Sequence, residues 1–158
     1  MTMQSVAELL PHQPPMRLLD HILAFDSRQV CAVTAINTSP FRGPQGLHAC
    51  YGLELMAQTA AAFFTLQTTQ DAPPRQGMLI ACRQFSTKIA HYPVDSCLVI
   101  HARLASALPH DATSPALVKF DGQIAVFDEP DAIPATDHEL FGLDAKDVAT
   151  QATLSVYL

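Results

Sequence analysis

The stretch CYGLELMAQTAAAFFTLQT, residues 50–68, constrains the fold of this chain more than any other. After Gly52 it contains neither glycine nor proline and is rich in alanine, leucine, methionine and glutamine, so it is expected to form one long helix. Leu53, Met56, Phe63 and Phe64 alternate around it with Ala57, Ala60, Ala61 and Ala62, which makes it apolar nearly all round and narrow on one side. A helix of that kind must be buried, and its alanine side lets a sheet approach closely. Glu54 stands at its head. A carboxylate on a buried helix is costly to ionise without donors or water nearby, so its position calls for a reason.

The remainder of the chain supplies strands to surround such a helix. Residues 16–25 and 29–36 are apolar and β-branched around Asp26-Ser27-Arg28, the pattern of a hairpin. Residues 37–46 carry two prolines and two glycines and form a loop. Apolar stretches at 78–90, 97–107, 116–127 and 151–158 predict four more strands, the first three divided by Tyr92-Pro93-Val94-Asp95 and by the 109–115 segment, with a Pro73-Pro74 break before them. A single helical turn capped by Ser5, with Glu8 three residues on, is expected before Pro11, Pro14 and Pro15 stop it. The acidic 128–149 segment has room for a short helix behind a Thr136-to-Glu139 capping box. Two strands, one helix and four strands is an α+β pattern, expected as one domain over 1–158 with an antiparallel sheet wrapped around one long central helix.

Charge and composition exclude several classes of function. The formal net charge is -6, and no basic run is present to follow a phosphate backbone, so nucleic acid is not an expected partner. The apolar run at 59–66 is far shorter than a bilayer requires, and MTMQSVAELLPH lacks the basic and apolar regions of a signal peptide. No membrane association and a cytoplasmic location are expected. Cys31, Cys50, Cys82 and Cys97 contain no CxxC pair, so neither a metal site nor a disulfide framework is indicated.

Three motifs in order resemble one known family. Leu10-Pro11-His12 through Pro15-Met16-Arg17-Leu18-Leu19-Asp20 is similar to the opening of the hotdog-fold 3-hydroxyacyl-(acyl-carrier-protein) dehydratases. Glu54-Leu55-Met56-Ala57-Gln58 resembles their E-A-M-A-Q, and residues 85–95, turning at Pro93-Val94-Asp95, resemble their P-V-x-x-G-D strand pair. Within that family the chain most resembles the branch associated with aryl polyene pigment synthesis. The likeness spans about residues 5–127 and the last strand, leaving 128–149 as an addition. It implies a hotdog fold, a homodimer or a heterodimer with another hotdog subunit, and a tunnel for an acyl chain carried on phosphopantetheine by acyl carrier protein or coenzyme A. No separate cofactor and no metal are implied.

In the resembling enzymes a histidine removes the α-proton, an acid protonates the departing hydroxyl, and amides at the helix start polarise the thioester carbonyl. By resemblance Glu54 is that acid, a role that partial burial would suit by keeping a proton available. The amides from Ala49 to Gly52 are the candidate carbonyl donors. Gln58, one helical turn beyond Glu54, is placed to orient it. Phe41 is a candidate for the tunnel lining. The family's histidine, fourteen positions before the glutamate in a G-H-F-P run, falls here on Pro40, with Phe41 next. Proline provides no base, so another imidazole must act or the chain is not a dehydratase. His12 and His48 are the candidates; His91, His101, His110 and His138 are expected to be structural, and His21 carries no assignment. Besides dehydration, the residues leave open an acyl thioesterase and a non-catalytic hotdog subunit. Docking of an acidic carrier would require a basic patch drawn from Arg42, Arg75, Arg83 and Lys88.

Overall fold

The computed structural model describes residues 4–67, 77–107, 117–144 and 146–157. The expected helix end at Thr68, the Pro73-Pro74 break, the 109–115 segment, His110 and Arg75 lie outside them. The strands are β1 (Gln4–Ser5), β2 (His21–Phe25), β3 (Gln29–Ala35), β4 (Leu47–His48), β5 (Met78–Thr87), β6 (His91–Tyr92), β7 (Cys97–Ala107), β8 (Leu117–Phe127) and β9 (Val148–Tyr157). The helices are α1 (Tyr51–Gln67) and α2 (Asp137–Phe141). Seven strands form an antiparallel sheet in the order β1-β2-β3-β7-β8-β9-β5, and β4 pairs separately with β6.

This is the hotdog arrangement: one face of the sheet closes on α1. Leu55, Met56, Ala60, Ala62 and Phe63 of the helix meet Ile22, Val30, Ala32, Leu98, Ile100, Phe120, Ile124 and Leu154 of the strands in one buried cluster. Leu55 and Met56 have 0% exposure, so truncating either to alanine costs about 2–5 kcal/mol. Close approach is bought with small residues on both sides. A Cβ at Gly122 of β8 would strike the Sδ of Met56, and one at Gly52 of α1 would strike the hydroxyl of Tyr92. The helix therefore lies nearer the sheet than larger residues would permit.

The first expected strand is shorter than its apolar run. Residues 16–19 do not join the sheet, because Met16 and Arg17 donate their amides to Gln13 O at 2.9 and 3.2 Å and fold the chain into a turn instead, and contact with β3 begins only at Asp20, whose amide donates to Val33 O at 3.0 Å. The hairpin at residues 26–28 is present: Asp26 Oδ1 accepts from the amides of Arg28 and Gln29 at 2.7 and 3.0 Å. The pairing of β4 with β6 has no counterpart in the sequence reading, since two residues leave no measurable period.

The 128–144 segment covers the outer face of the sheet. Thr136 caps α2 by accepting from the amide of Glu139 at 3.3 Å, and Leu140 packs beneath with Leu23, Cys31, Val33 and Val99. The buried Cys31 thiol donates to Leu140 O at 3.5 Å; burial pushes its pKa up, so it stays a neutral hydrophobe there. The sheet's two edges differ. β1 is two residues long, whereas β5 runs for ten and exposes Met78, Ile80 and Phe85. A long apolar edge of that kind is a template for a further strand.

Candidate functional site

The segment of residues 12–18 is held against α1 by one side chain. Gln58, 1% exposed, accepts the amide of Leu18 on Oε1 at 3.0 Å, while its Nε2 donates to Met16 O and to Glu54 Oε1, both at 2.7 Å. Spacing explains the last bond, because residues four apart stack on one helical face. A glutamine suits the position because a single planar amide offers both the acceptor and the donors that an unpaired backbone segment needs.

This clamp brings His12 to Glu54. His12 Nε2 lies 3.7 Å from Glu54 Oε1, close enough for an ion pair when the imidazole is protonated. Their side chains keep 33% and 38% of their accessible surface, so the pair faces outward from the single chain rather than being sealed in the core. The reason is geometric: Glu54 leaves α1 on the side that the sheet does not cover. His12 Nδ1, by contrast, is buried and finds no hydrogen-bond partner, so nothing in the described chain fixes the tautomer of the ring. Gln58 occupies Glu54 Oε1, and Oε2 has no hydrogen-bond partner among the described residues.

His48 is placed differently. Its Nδ1 accepts the amide of Cys50 at 3.2 Å, a cap on the helix start, and its ring stands edge-on to His91 at 5.1 Å. Both histidines, with Phe41 and Gly46, line a cleft of about 420 Å³ beside that helix start. No contact joins His48 to Glu54. Phe41 stacks on Tyr51 with ring centres 5.4 Å apart, so the two aromatics form one surface at the mouth of α1.

The helix-start amides are mostly committed. Ala49 N donates to Ala90 O at 2.9 Å, Cys50 N to His48, Gly52 N to Ala49 O at 2.9 Å and Leu53 N to Cys50 O at 3.2 Å. Tyr51 N has no acceptor among the described residues. The expectation that Ala49 and Gly52 offer free amides is thus corrected: both are tied into the turn that begins α1, and Tyr51 N–H is the donor left over. Gly52 serves instead as the gap through which Tyr92 reaches the helix. Tyr92, fully buried, donates to Thr150 Oγ1 at 2.8 Å, and the Thr150 hydroxyl in turn donates a hydrogen bond to Thr87 Oγ1 at 3.0 Å. Burial pushes the Tyr92 phenol up to about 12, so it remains a neutral donor at any physiological pH. Tyr92 is a buried contact at the helix start that the sequence reading missed; its only signal was its place beside the Pro93 turn.

Of the other histidines, His101 is buried on the outer face, bonded to Gln29 Oε1 at 3.0 Å and stacked near Phe141. Among the described residues no cluster of three or more His, Cys, Asp or Glu could hold a metal ion. No helix among them is long and apolar enough to cross a membrane.

The profile of the ApeP-like family, described as ApeP dehydratase, matches residues 4–157. The sequence matches none of the curated proteins. Among solved structures, a chain of the dehydratase heterocomplex ApeI:P from Xenorhabdus doucetiae superposes with TM-score 0.73 at 21% identity, covering 97% of this chain and 90% of that one. A hypothetical thioesterase with coenzyme A from Streptococcus pneumoniae gives TM-score 0.53 at 14% identity, covering 86% of this chain and 82% of that one. PaaI of the phenylacetic acid degradation operon of E. coli gives 0.53 at 11%, covering 87% and 81%. At these identities the solved structures establish a shared fold.

Proposed function

Because the chain belongs to the ApeP-like dehydratase family, we propose that it removes water from 3-hydroxyacyl thioesters carried on phosphopantetheine, with Glu54 as acid and His12 as base. The observation that carries this reading is the Gln58 clamp, which sets an imidazole 3.7 Å from the one carboxylate at the head of α1. His12 Nε2 takes the α-proton, and the carbonyl oxygen gathers charge opposite Tyr51 N–H and the positive end of the helix. The Cα–Cβ double bond then forms as the hydroxyl leaves, protonated from Glu54 Oε2, as water. The cycle ends with a proton on His12 and none on Glu54, and the short gap between them allows its return. Substrate and product then differ only by one water.

A second hotdog subunit is part of this reading. The apolar edge of β5 offers it a strand, and the outward-facing His12–Glu54 pair offers a site for the assembly to cover. The carrier, acyl carrier protein or coenzyme A, would bring the thioester to the Phe41–Tyr51 surface. One observation favours a non-catalytic subunit instead: Pro40 stands where the resembling enzymes carry their histidine.

Glu54→Gln decides between them. With a 3-hydroxyacyl thioester, and in the assembly that the chain forms with its hotdog partner, the substitution should lower dehydration about a hundredfold or more while leaving fold and assembly intact. An unchanged rate would return Glu54 to a structural role at the helix start and favour the non-catalytic subunit.

A further inference from the structure

Residues 87–92 hold the start of α1 on two sides. Ala90 O accepts the amide of Ala49 at 2.9 Å, and His48, whose Nδ1 accepts the amide of Cys50, pairs with His91 across β4 and β6. Tyr92 reaches the next residue of the helix: a Cβ at Gly52 would strike its hydroxyl and come within 3.5 Å of the Thr150 methyl group. Tyr51, whose N–H is the amide left over at the helix start, thus stands between two residues held in place, Cys50 by His48 and Gly52 by its contact with Tyr92.

Thr150 keeps Tyr92 there. The phenol donates to Thr150 Oγ1 at 2.8 Å, Thr150 donates to Thr87 Oγ1 at 3.0 Å, and Thr87 donates to Ile89 O at 2.8 Å. A carbonyl has no proton to give, so the direction of each bond is fixed from that end. Tyr92 and Thr150 are 0% and 1% exposed, so solvent does not replace a lost partner. The backbone of Thr150 is fixed by the sheet, paired with Thr87 of β5 on one side and Ile124 of β8 on the other. Further along β9 the residues that enter the core are apolar, Ala152, Leu154 and Val156. A hydroxyl in that row requires partners, and those it finds lead to the helix start.

We infer that Thr150 is a positioning residue for the thioester carbonyl: through Tyr92 and Gly52, its hydroxyl sets the place of Tyr51 N–H. The role rests on the proposed placing of that carbonyl at Tyr51 N–H. Without the Thr150 hydroxyl the Tyr92 phenol has a buried proton and no acceptor, so its ring shifts to find one, and the helix start that rests on it at Gly52 shifts too. A donor stabilises developing charge only where it is already aimed. Its displacement therefore slows turnover while the contacts that bind substrate stay in place.

The test uses the native assembly, a 3-hydroxyacyl thioester for turnover, and a saturated acyl thioester isotopically labelled at the carbonyl for infrared spectroscopy. Thr150→Val keeps the shape of the residue and removes the hydroxyl. It should lower kcat about tenfold or more, short of the loss that follows outright removal of an oxyanion donor, with KM within about twofold of wild type. The carbonyl band of the bound thioester should lie below that of the free thioester in the wild type and return toward it in Thr150→Val. Thr150→Ser, which restores the hydroxyl, should recover both. Tyr92→Phe should match Thr150→Val, and the double variant should be no worse than either, because residues acting through one chain are not additive. If Thr150→Val does not fold, Tyr92→Phe carries the same measurements, since it leaves Thr150 bonded to Thr87. With the wild-type band shifted, the inference alone is overturned if the substitutions leave kcat and the band unchanged, if they raise KM instead, if Thr150→Ser recovers neither, or if their effects multiply. A wild-type band that does not shift, or a wild type that neither binds nor turns over the thioesters, removes the placing of the carbonyl at Tyr51 and the inference with it.

Discussion

Replacing Gln58 with leucine should loosen the whole 12–18 segment from α1. The two side chains have similar volume, so the change opens no cavity and isolates the loss of polar contacts. Leu18 N–H, on a residue only 7% exposed, loses its acceptor at 3.0 Å, and Met16 O loses its donor at 2.7 Å. Stranding a buried amide costs about 1–3 kcal/mol. Met16 is half exposed, so water replaces most of what its carbonyl loses. The expected destabilisation is therefore about 2–3 kcal/mol, dominated by Leu18. For a chain of this length that corresponds to a fall in melting temperature of about 4–12 °C. Glu54 loses its 2.7 Å donor in the same step, and His12 is no longer held opposite it, so dehydration should fall more steeply than stability. Differential scanning calorimetry beside the dehydration assay checks both. A melting temperature unchanged within a degree would refute the clamp, because the segment would then be held by something other than Gln58.

Gly52→Ala should destabilise by about 1–3 kcal/mol through overpacking, because the added methyl meets the Tyr92 hydroxyl and its bond to Thr150; chemical denaturation checks this, and a neutral result would mean that the helix start shifts freely. His101 gives a pH prediction with a definite sign. Desolvation by burial, aided by the Arg103 charge, holds its pKa below the ordinary histidine value of 6.5, so the unfolded chain takes up a proton that the folded chain refuses. Its contribution is complete above about pH 6.5 and is lost as the pH falls from there toward the depressed folded value, where the loss levels off. His101→Gln should flatten that limb of the stability profile between pH 7 and 5, and an unchanged slope would contradict the assignment.

How far the sequence alone reaches depends on the length of the pattern. The unbroken apolar run after Gly52 specifies α1 within a residue at its start, and strands of ten or so residues such as β7 and β8 declare themselves by their apolar content. Residues 16–19 fall outside β2 because Gln58 pins Met16 O and Leu18 N to α1, contacts 42 and 40 residues away in sequence that no local period reports. The Glu54–Gln58 contact was legible in the sequence: the two residues stand one helical turn apart, and that spacing produces their bond. What could not be read was which imidazole meets Glu54, since that depends on how residues 12–18 fold back. The commitment of the Ala49 and Gly52 amides was equally hidden, because it arises from the pairing of the helix start with Ala90 and with the turn itself.

The most direct test of the central claim isolates the base from the acid. Exchange of the α-proton of a saturated acyl thioester in deuterated water needs a base at the reacting carbon but no loss of hydroxyl. His12→Ala should slow exchange about a hundredfold, the lower end of what a general base contributes, whereas His48→Ala, which removes only a cap on the Cys50 amide, should leave it within a few-fold of wild type. Exchange that survives loss of His12, or that is absent from the wild-type assembly altogether, would contradict the account.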